Sequence, residues 1–300
     1  MTLRYPHIMA RVFNRPLLLS QGKADIIARV MLEREQIAHI DVRGITLLTD
    51  EMTETNPTED VLPAPIGTSG DLIEREGYVV QDGVAIIPVC GTLVHKLGGV
   101  RPYSGMLGYD SIRANFGEAL KDSAARGILL LVESPGGEVY GCFDLCDAMY
   151  AARGTKPVMA CVDEMCCSGA MAIASVADVI TVPRTGDVGS VGVCYMHTDL
   201  SGALDEAGIK ITFIKDGDFK TEGACEQPLS PEAFDRIQKQ VRTVGTIFKT
   251  MIARNRGIGL QAVIDQQAAV FMGQDAVDVG LADAVMPLDQ AFAEFRAELS

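Results

Sequence analysis

Long hydrophobic runs are missing from this 300-residue chain. No uncharged apolar stretch approaches the roughly eighteen residues of a membrane span, and Arg11, Arg15 and Lys23 interrupt the N-terminal apolar residues that would otherwise imitate a signal peptide. Basic residues are scarce as well. Against 40 Asp and Glu stand 26 Lys and Arg, a formal charge of −14, and no basic run reverses it locally. Such a chain repels phosphate backbones and anionic lipid, so the expectation is a cytoplasmic protein with neither nucleic acid nor a membrane as partner. Histidine is rare, with only His7, His39, His95 and His197, and the eight cysteines form no C-x-x-C pair. A metal site has few ligands to draw on, no cofactor is expected, and reduced thiols are the simplest state.

What the chain does have is enough apolar material, 48% of its residues, to bury one large domain with appendages. Residues 1–48 read as an N-terminal appendage with an amphipathic helix over about Lys23 to Ile37. Residues 49–76 are acidic and rich in Thr and Pro, a composition that cannot bury itself and predicts a flexible linker. From residue 77 to 300, strands alternate with helices, the signature of an α/β layered domain with a mainly parallel sheet flanked by helices. Predicted strands are Tyr78–Val80, Val84–Val89, Gly127–Glu133, Pro157–Val162, Val179–Val182, Val191–Tyr195 and Lys210–Ile214. Predicted helices are Asp110–Ser123, Glu138–Arg153, Gly169–Asp178, Leu200–Ala207, one opened by Ser230-Pro231-Glu232 and running to Arg256, and two in the tail over Gly273–Val285 and Leu288–Leu299.

One octet carries chemistry: Met165-Cys166-Cys167-Ser168-Gly169-Ala170-Met171-Ala172. A reactive hydroxyl is followed by small residues as a helix begins, where free backbone N–H groups can stabilise an oxyanion on a carbonyl that Ser168 attacks. Taken alone, a serine in this place is more often a helix cap. Cys167 is a rival nucleophile, but successive residues of a helix point about 100° apart, so it and Ser168 cannot face one site. With Cys166 two positions before Ser168 there is no G-x-S-x-G elbow, which disfavours an α/β-hydrolase. Upstream, Ser134-Pro135-Gly136-Gly137 breaks the chain at the carboxyl end of a buried strand, and the N–H of Gly137 is a second candidate oxyanion donor opposite that of Gly169. Two residues compete for the base. Lys220 lies in a polar loop between Asp218 and Glu222 and would have to be neutral, whereas His197 needs less tuning and would complete a triad with some aspartate.

Four segments in order resemble the signal peptide peptidase A family of serine proteases: Glu133-Ser134-Pro135-Gly136-Gly137, Cys167-Ser168-Gly169 with Ala174–Asp178 behind it, Gly189-Ser190-Val191-Gly192-Val193, and Phe219-Lys220. The spacings of 22 residues from Ser168 to Ser190 and 52 to Lys220 match the family's lysine-orienting serine and catalytic lysine. The resemblance, over about residues 84–285, implies a Clp/crotonase-like fold. It also implies Ser168 as nucleophile, Lys220 as base, Ser190 as the hydroxyl that orients the lysine, and the Gly137 and Gly169 N–H groups as the oxyanion hole. A homo-oligomer whose sites are shared between protomers follows from it too. Pro6–Leu17 and Arg101–Tyr109 further resemble the branch of capsid assembly proteases of lambda-like tailed phages, which implies protein substrates, the scaffold and capsid components, cut in the host cytoplasm or inside an immature head. Three other readings stay open: a catalytically inactive assembly scaffold of the same fold, a peptidase using Ser168 with His197, and a crotonase-type acyl-CoA enzyme that needs neither Ser168 nor Lys220.

Overall fold

The computed structural model describes residues 16–19, 66, 71–97 and 105–300. The predicted helix over Lys23–Ile37 and most of the acidic stretch lie outside the described residues. In chain order the first strands are β1 (Pro16–Leu19), β2 (Leu72–Arg75), β3 (Tyr78–Gln81), β4 (Val84–Cys90), β5 (Thr92–Val94) and β6 (Met106–Gly108). Helix α1 (Tyr109–Lys121), strands β7 (Gly127–Ser134) and β8 (Gly136–Glu138), helix α2 (Cys142–Ala151), strand β9 (Val158–Cys167) and helix α3 (Gly169–Ala174) follow. The chain continues through β10 (Val179–Val182), β11 (Asp187–Gly189), β12 (Cys194–Tyr195), α4 (Ser201–Glu206), α5 (Pro231–Arg256) and α6 (Leu260–Asp265). It ends in β13 (Val270–Met272), α7 (Gln274–Asp278), β14 (Ala284–Val285) and α8 (Leu288–Glu298).

The larger sheet runs β13-β11-β9-β7-β4-β3-β2, with β10 and β14 continuing from β9. Its centre is parallel: β4 pairs β7, β7 pairs β9, and β9 pairs both β10 and β11. Alternation along these strands sends one set of side chains to each face. Ala85, Ile87, Val89, Ile128, Leu130 and Val132 face one core with α1, α2, α3 and α5; Val84, Ile86, Leu129, Met159 and Cys161 face another with Phe292 and Phe295 of α8. Helices thus cover both faces, which is why the central strands read as continuous apolar runs.

A smaller sheet, β12-β1-β8-β5-β6, stands against the first. It draws β1 from the segment expected to be an appendage, and the larger sheet draws its edge strand β2 from within the expected linker. Ile66, also from that stretch, is buried and exchanges two hydrogen bonds with the Gln81 side chain, 2.9 Å and 2.8 Å long. Several predicted elements differ from what forms: the strand expected over Val191–Tyr195 is confined to Cys194–Tyr195, the helix expected from Glu138 begins at Cys142 with Glu138 in β8, and the helix expected over Gly273–Val285 is α7 followed by strand β14. Lys210–Ile214 is exposed and makes no strand, because no neighbour offers it an edge. The helix after Ser168 stops at Ala174, four residues early, where the Ser175 hydroxyl donates to the Ala172 carbonyl and receives the Asn255 amide.

Candidate active site

Three loops meet beyond the carboxyl ends of the adjacent parallel strands β7, β9 and β11, where open α/β sheets place their ligands. Ser134 pairs with Cys166, and Cys167 pairs with Gly189, so the turns at Gly136-Gly137, Ser168-Gly169 and Ser190 leave the sheet side by side. The Ser168 N–H donates to the Gly189 carbonyl at 2.7 Å, which holds the nucleophile candidate next to the one expected to orient a base. Both serines have positive φ, 55° for Ser168 and 53° for Ser190. With ψ −114°, Ser168 sits in backbone space that residues with a Cβ avoid, at a cost on the order of 1–3 kcal/mol.

That strain does not serve capping. Ser168 occupies the N-cap position of α3, yet its side chain makes no cap hydrogen bond. Its hydroxyl is fully buried and has no hydrogen-bond partner among the described residues. An unpaired buried hydroxyl costs roughly 1–3 kcal/mol, so strain and burial together maintain an arrangement that stability alone disfavours.

Gly136 and Gly137 are required sterically. A Cβ on Gly137 would collide with the Leu93 carbonyl of the paired strand β5, and one on Gly136, where φ is 94°, would collide with the Leu18 carbonyl of β1. The Gly137 amide nitrogen lies 3.4 Å from the point a Gly169 Cβ would occupy, so the two residues expected to supply oxyanion donors are close neighbours. Ser134 fixes the turn before them: its hydroxyl donates to the Gly91 carbonyl at 2.6 Å and accepts from the Gly136 N–H at 3.1 Å. Tyr109, which sequence reasoning did not single out, closes the site from α1. Its hydroxyl donates to the Glu138 carbonyl at 2.8 Å and lies 3.0 Å from the place of a Gly169 Cβ. The only sequence signal for it is its position at the end of the Arg101–Tyr109 segment.

The neighbouring thiols are inert as nucleophiles. Burial first, then the charges of Asp187 and Glu133, push the Cys167 thiol up to about 12, and burial raises Cys166 well above its ordinary value. Among the described residues no group of three or more His, Cys, Asp or Glu side chains is placed to hold a metal ion.

A single chain brings neither candidate base to Ser168. His197 turns its Nε2 to the Ala224 carbonyl at 3.4 Å. Lys220 is exposed, in a turn closed by its own N–H to the Gly217 carbonyl at 3.2 Å. Of the acids flanking it, Glu222 is engaged by Arg236, whose guanidinium also stacks 3.9 Å over the Phe219 ring. The loop is therefore anchored to the start of α5, with Lys220 left at the surface.

A strained serine on a strand-to-helix turn of an α/β sheet, beside two glycine turns, is an arrangement that acyl-transfer chemistry can use. The Peptidase family S49 model matches residues 151–300, and the chain belongs to that family. It is 35% identical over 98% of its length to the head-tail preconnector protein GP5 of Enterobacteria phage P21, covering 58% of that protein. It is 34% identical over 98% of its length to the capsid assembly protease C of Escherichia phage lambda, covering 66% of it. The chain thus spans about three fifths to two thirds of the length of these relatives. A ClpP1 variant from Listeria monocytogenes superposes with a TM-score of 0.40 at 11% identity, over 67% of this chain and 91% of that one.

Proposed function

We propose that the chain is a serine endopeptidase that cuts peptide bonds through an acyl-enzyme on Ser168, with Lys220 of an adjacent protomer as general base. The observation that carries this reading is the strained, unpartnered Ser168 hydroxyl set against the Gly137 and Gly169 amides. Ser168 Oγ attacks the substrate carbonyl while its proton passes to a neutral Lys220 Nζ and from there to the leaving amine. The two glycine N–H groups hold the oxyanion, Ser190 orients the lysine, and water then releases the acyl group.

A site shared between protomers is supported by two features of Lys220. It is exposed in the single chain, whereas a lysine acts as a base only when withdrawn from water. It also stands within nine residues in sequence of exposed apolar side chains, Ile211, Phe213, Phe219 and above all Ile214, which is 99% exposed. Apolar surface of this kind marks a place that a second copy covers. The phage P21 relative is a head-tail preconnector protein and the lambda relative a capsid assembly protease, which supports phage head proteins as the substrates, cut in the host cytoplasm or the immature head. Among the described residues no helix is long and apolar enough to cross a membrane.

The test is cleavage of a co-expressed scaffold protein by the assembled oligomer. Ser168→Ala and Lys220→Ala each lose more than about a thousandfold in rate, and His197→Ala keeps it. An active Lys220→Ala beside an inactive His197→Ala would replace the dyad by a triad. Wild-type oligomers that cut nothing would leave the inactive-scaffold reading in its place.

A further inference from the structure

Ser168 is fully buried in the single chain, and a strand from the far N-terminal side of the sequence lies against the glycines that flank it. Strand β1 lies edge to edge between β8 and β12 and runs antiparallel to both. On one side Leu17, Leu18 and Leu19 stand opposite Glu138, Gly137 and Gly136; on the other, Pro16 and Leu17 stand opposite Tyr195 and Cys194. One flanking strand thus carries the oxyanion glycine, and the other begins four residues after Ser190. An extended peptide adds to exposed sheet edges in this way, by main-chain pairing on the edge and by pockets for alternate side chains.

The fit continues at the reacting centre. The Leu18 side chain is fully buried in the main core, and its Cβ lies 3.5 Å from the place of a Gly169 Cβ. The Leu18 carbonyl oxygen and the Gly169 amide nitrogen, the latter at 2.9 Å, both crowd the point that a Gly136 Cβ would occupy. A peptide carbonyl of the chain itself thus lies in the neighbourhood of both oxyanion-donor candidates. While β1 pairs with β8 and β12 no second peptide can take those edges; with it gone, β8 and β12 offer two facing edges and the space that the Leu18 side chain fills.

We propose that the groove between β8 and β12 is the substrate channel, that it takes an extended peptide with an aliphatic side chain in the Leu18 pocket, and that Pro16–Leu19 occupies it as an internal competitor. This rests on the peptidase reading of Ser168. The occupancy is read without catalysis, in full-length chains carrying Ser168→Cys. Iodoacetamide labelling of the introduced thiol is followed by peptide mass spectrometry, with and without Leu18→Asp. Labelling is expected to rise about tenfold or more with Leu18→Asp, and a synthetic peptide spanning Asn14–Gln21 is expected to slow it again. Should Leu18→Asp fail to fold, Leu18→Ala is expected to give a smaller rise of about threefold. An unchanged labelling rate in the folded variant overturns the occupancy. The two readings fail separately. A cleaving wild type whose labelling ignores Leu18 sinks only the competitor, and Leu18-dependent labelling in a chain that cleaves nothing sinks only the peptidase.

Discussion

At Ser168, φ 55° and ψ −114° set reactivity against stability. Ser168→Gly removes both the Cβ from a backbone that resents it and the unpaired buried hydroxyl. It is expected to stabilise the fold by about 1 kcal/mol while abolishing cleavage, which thermal unfolding and a peptidase assay read together. Gly137→Ala is expected to do the reverse of stabilising, lowering both the melting midpoint and activity, because its methyl meets the Leu93 carbonyl. The places of Gly137, Ser168 and Gly169 after buried strands were legible in the sequence because the apolar runs of β7 and β9 are, whereas Ser190 follows β11, Asp187–Gly189, which has no apolar run, and was marked only by its 22-residue spacing from Ser168. Leu18 and Tyr109 were not legible, since they reach the site through pairings with partners more than twenty residues away that composition does not encode.

Among the elements, the strands best read from sequence are β4, β7 and β9, whose apolar runs are buried on both faces and so under packing pressure. Lys210–Ile214 has the composition of a strand but no paired edge, which shows composition to be necessary and not sufficient. The opening of α5 was legible in full: the Ser230 hydroxyl accepts the Ala233 N–H at 3.1 Å, with Pro231 at the first helical position. Ser230→Ala is expected to cost about 1 kcal/mol of stability, measured by denaturant titration. Between the β2–β3 hairpin and the end of α1, Asp122 accepts hydrogen bonds from Arg75, Tyr78 and the Ala124 N–H. The Arg75 guanidinium, first among these, holds the Asp122 carboxyl below its ordinary range. A lowered folded value means the contribution is whole above the unfolded pKa of about 3.9 and fades as pH falls through the folded one. Asp122→Asn is accordingly expected to lower the melting midpoint at pH 7 by about 2–4 °C, with the gap to wild type narrowing below about pH 4.

For the whole molecule, the sequence disclosed the layered architecture and hid the boundary of the folded unit, because β1 and β2 come from stretches whose composition suggested appendage and linker. Oligomers are where the candidate dyad is tested most directly. Mixing Ser168→Ala chains with Lys220→Ala chains is expected to restore about a quarter of wild-type activity if each site takes its serine and lysine from different protomers, and none if both come from one. The formal charge of −14 makes that association salt-dependent, and added salt is expected to favour assembly in size-exclusion experiments.

A four-residue strand lodged in its own channel changes what the enzyme responds to. Carried on the same chain, Pro16–Leu19 competes intramolecularly, at a local concentration that dilution of the protein does not change. Dilute peptides lose that contest whatever their sequence, while proteins packed around the molecule at comparable density win it. Turnover then becomes a threshold in crowding, silent in free solution and switched on wherever substrate is confined with the enzyme.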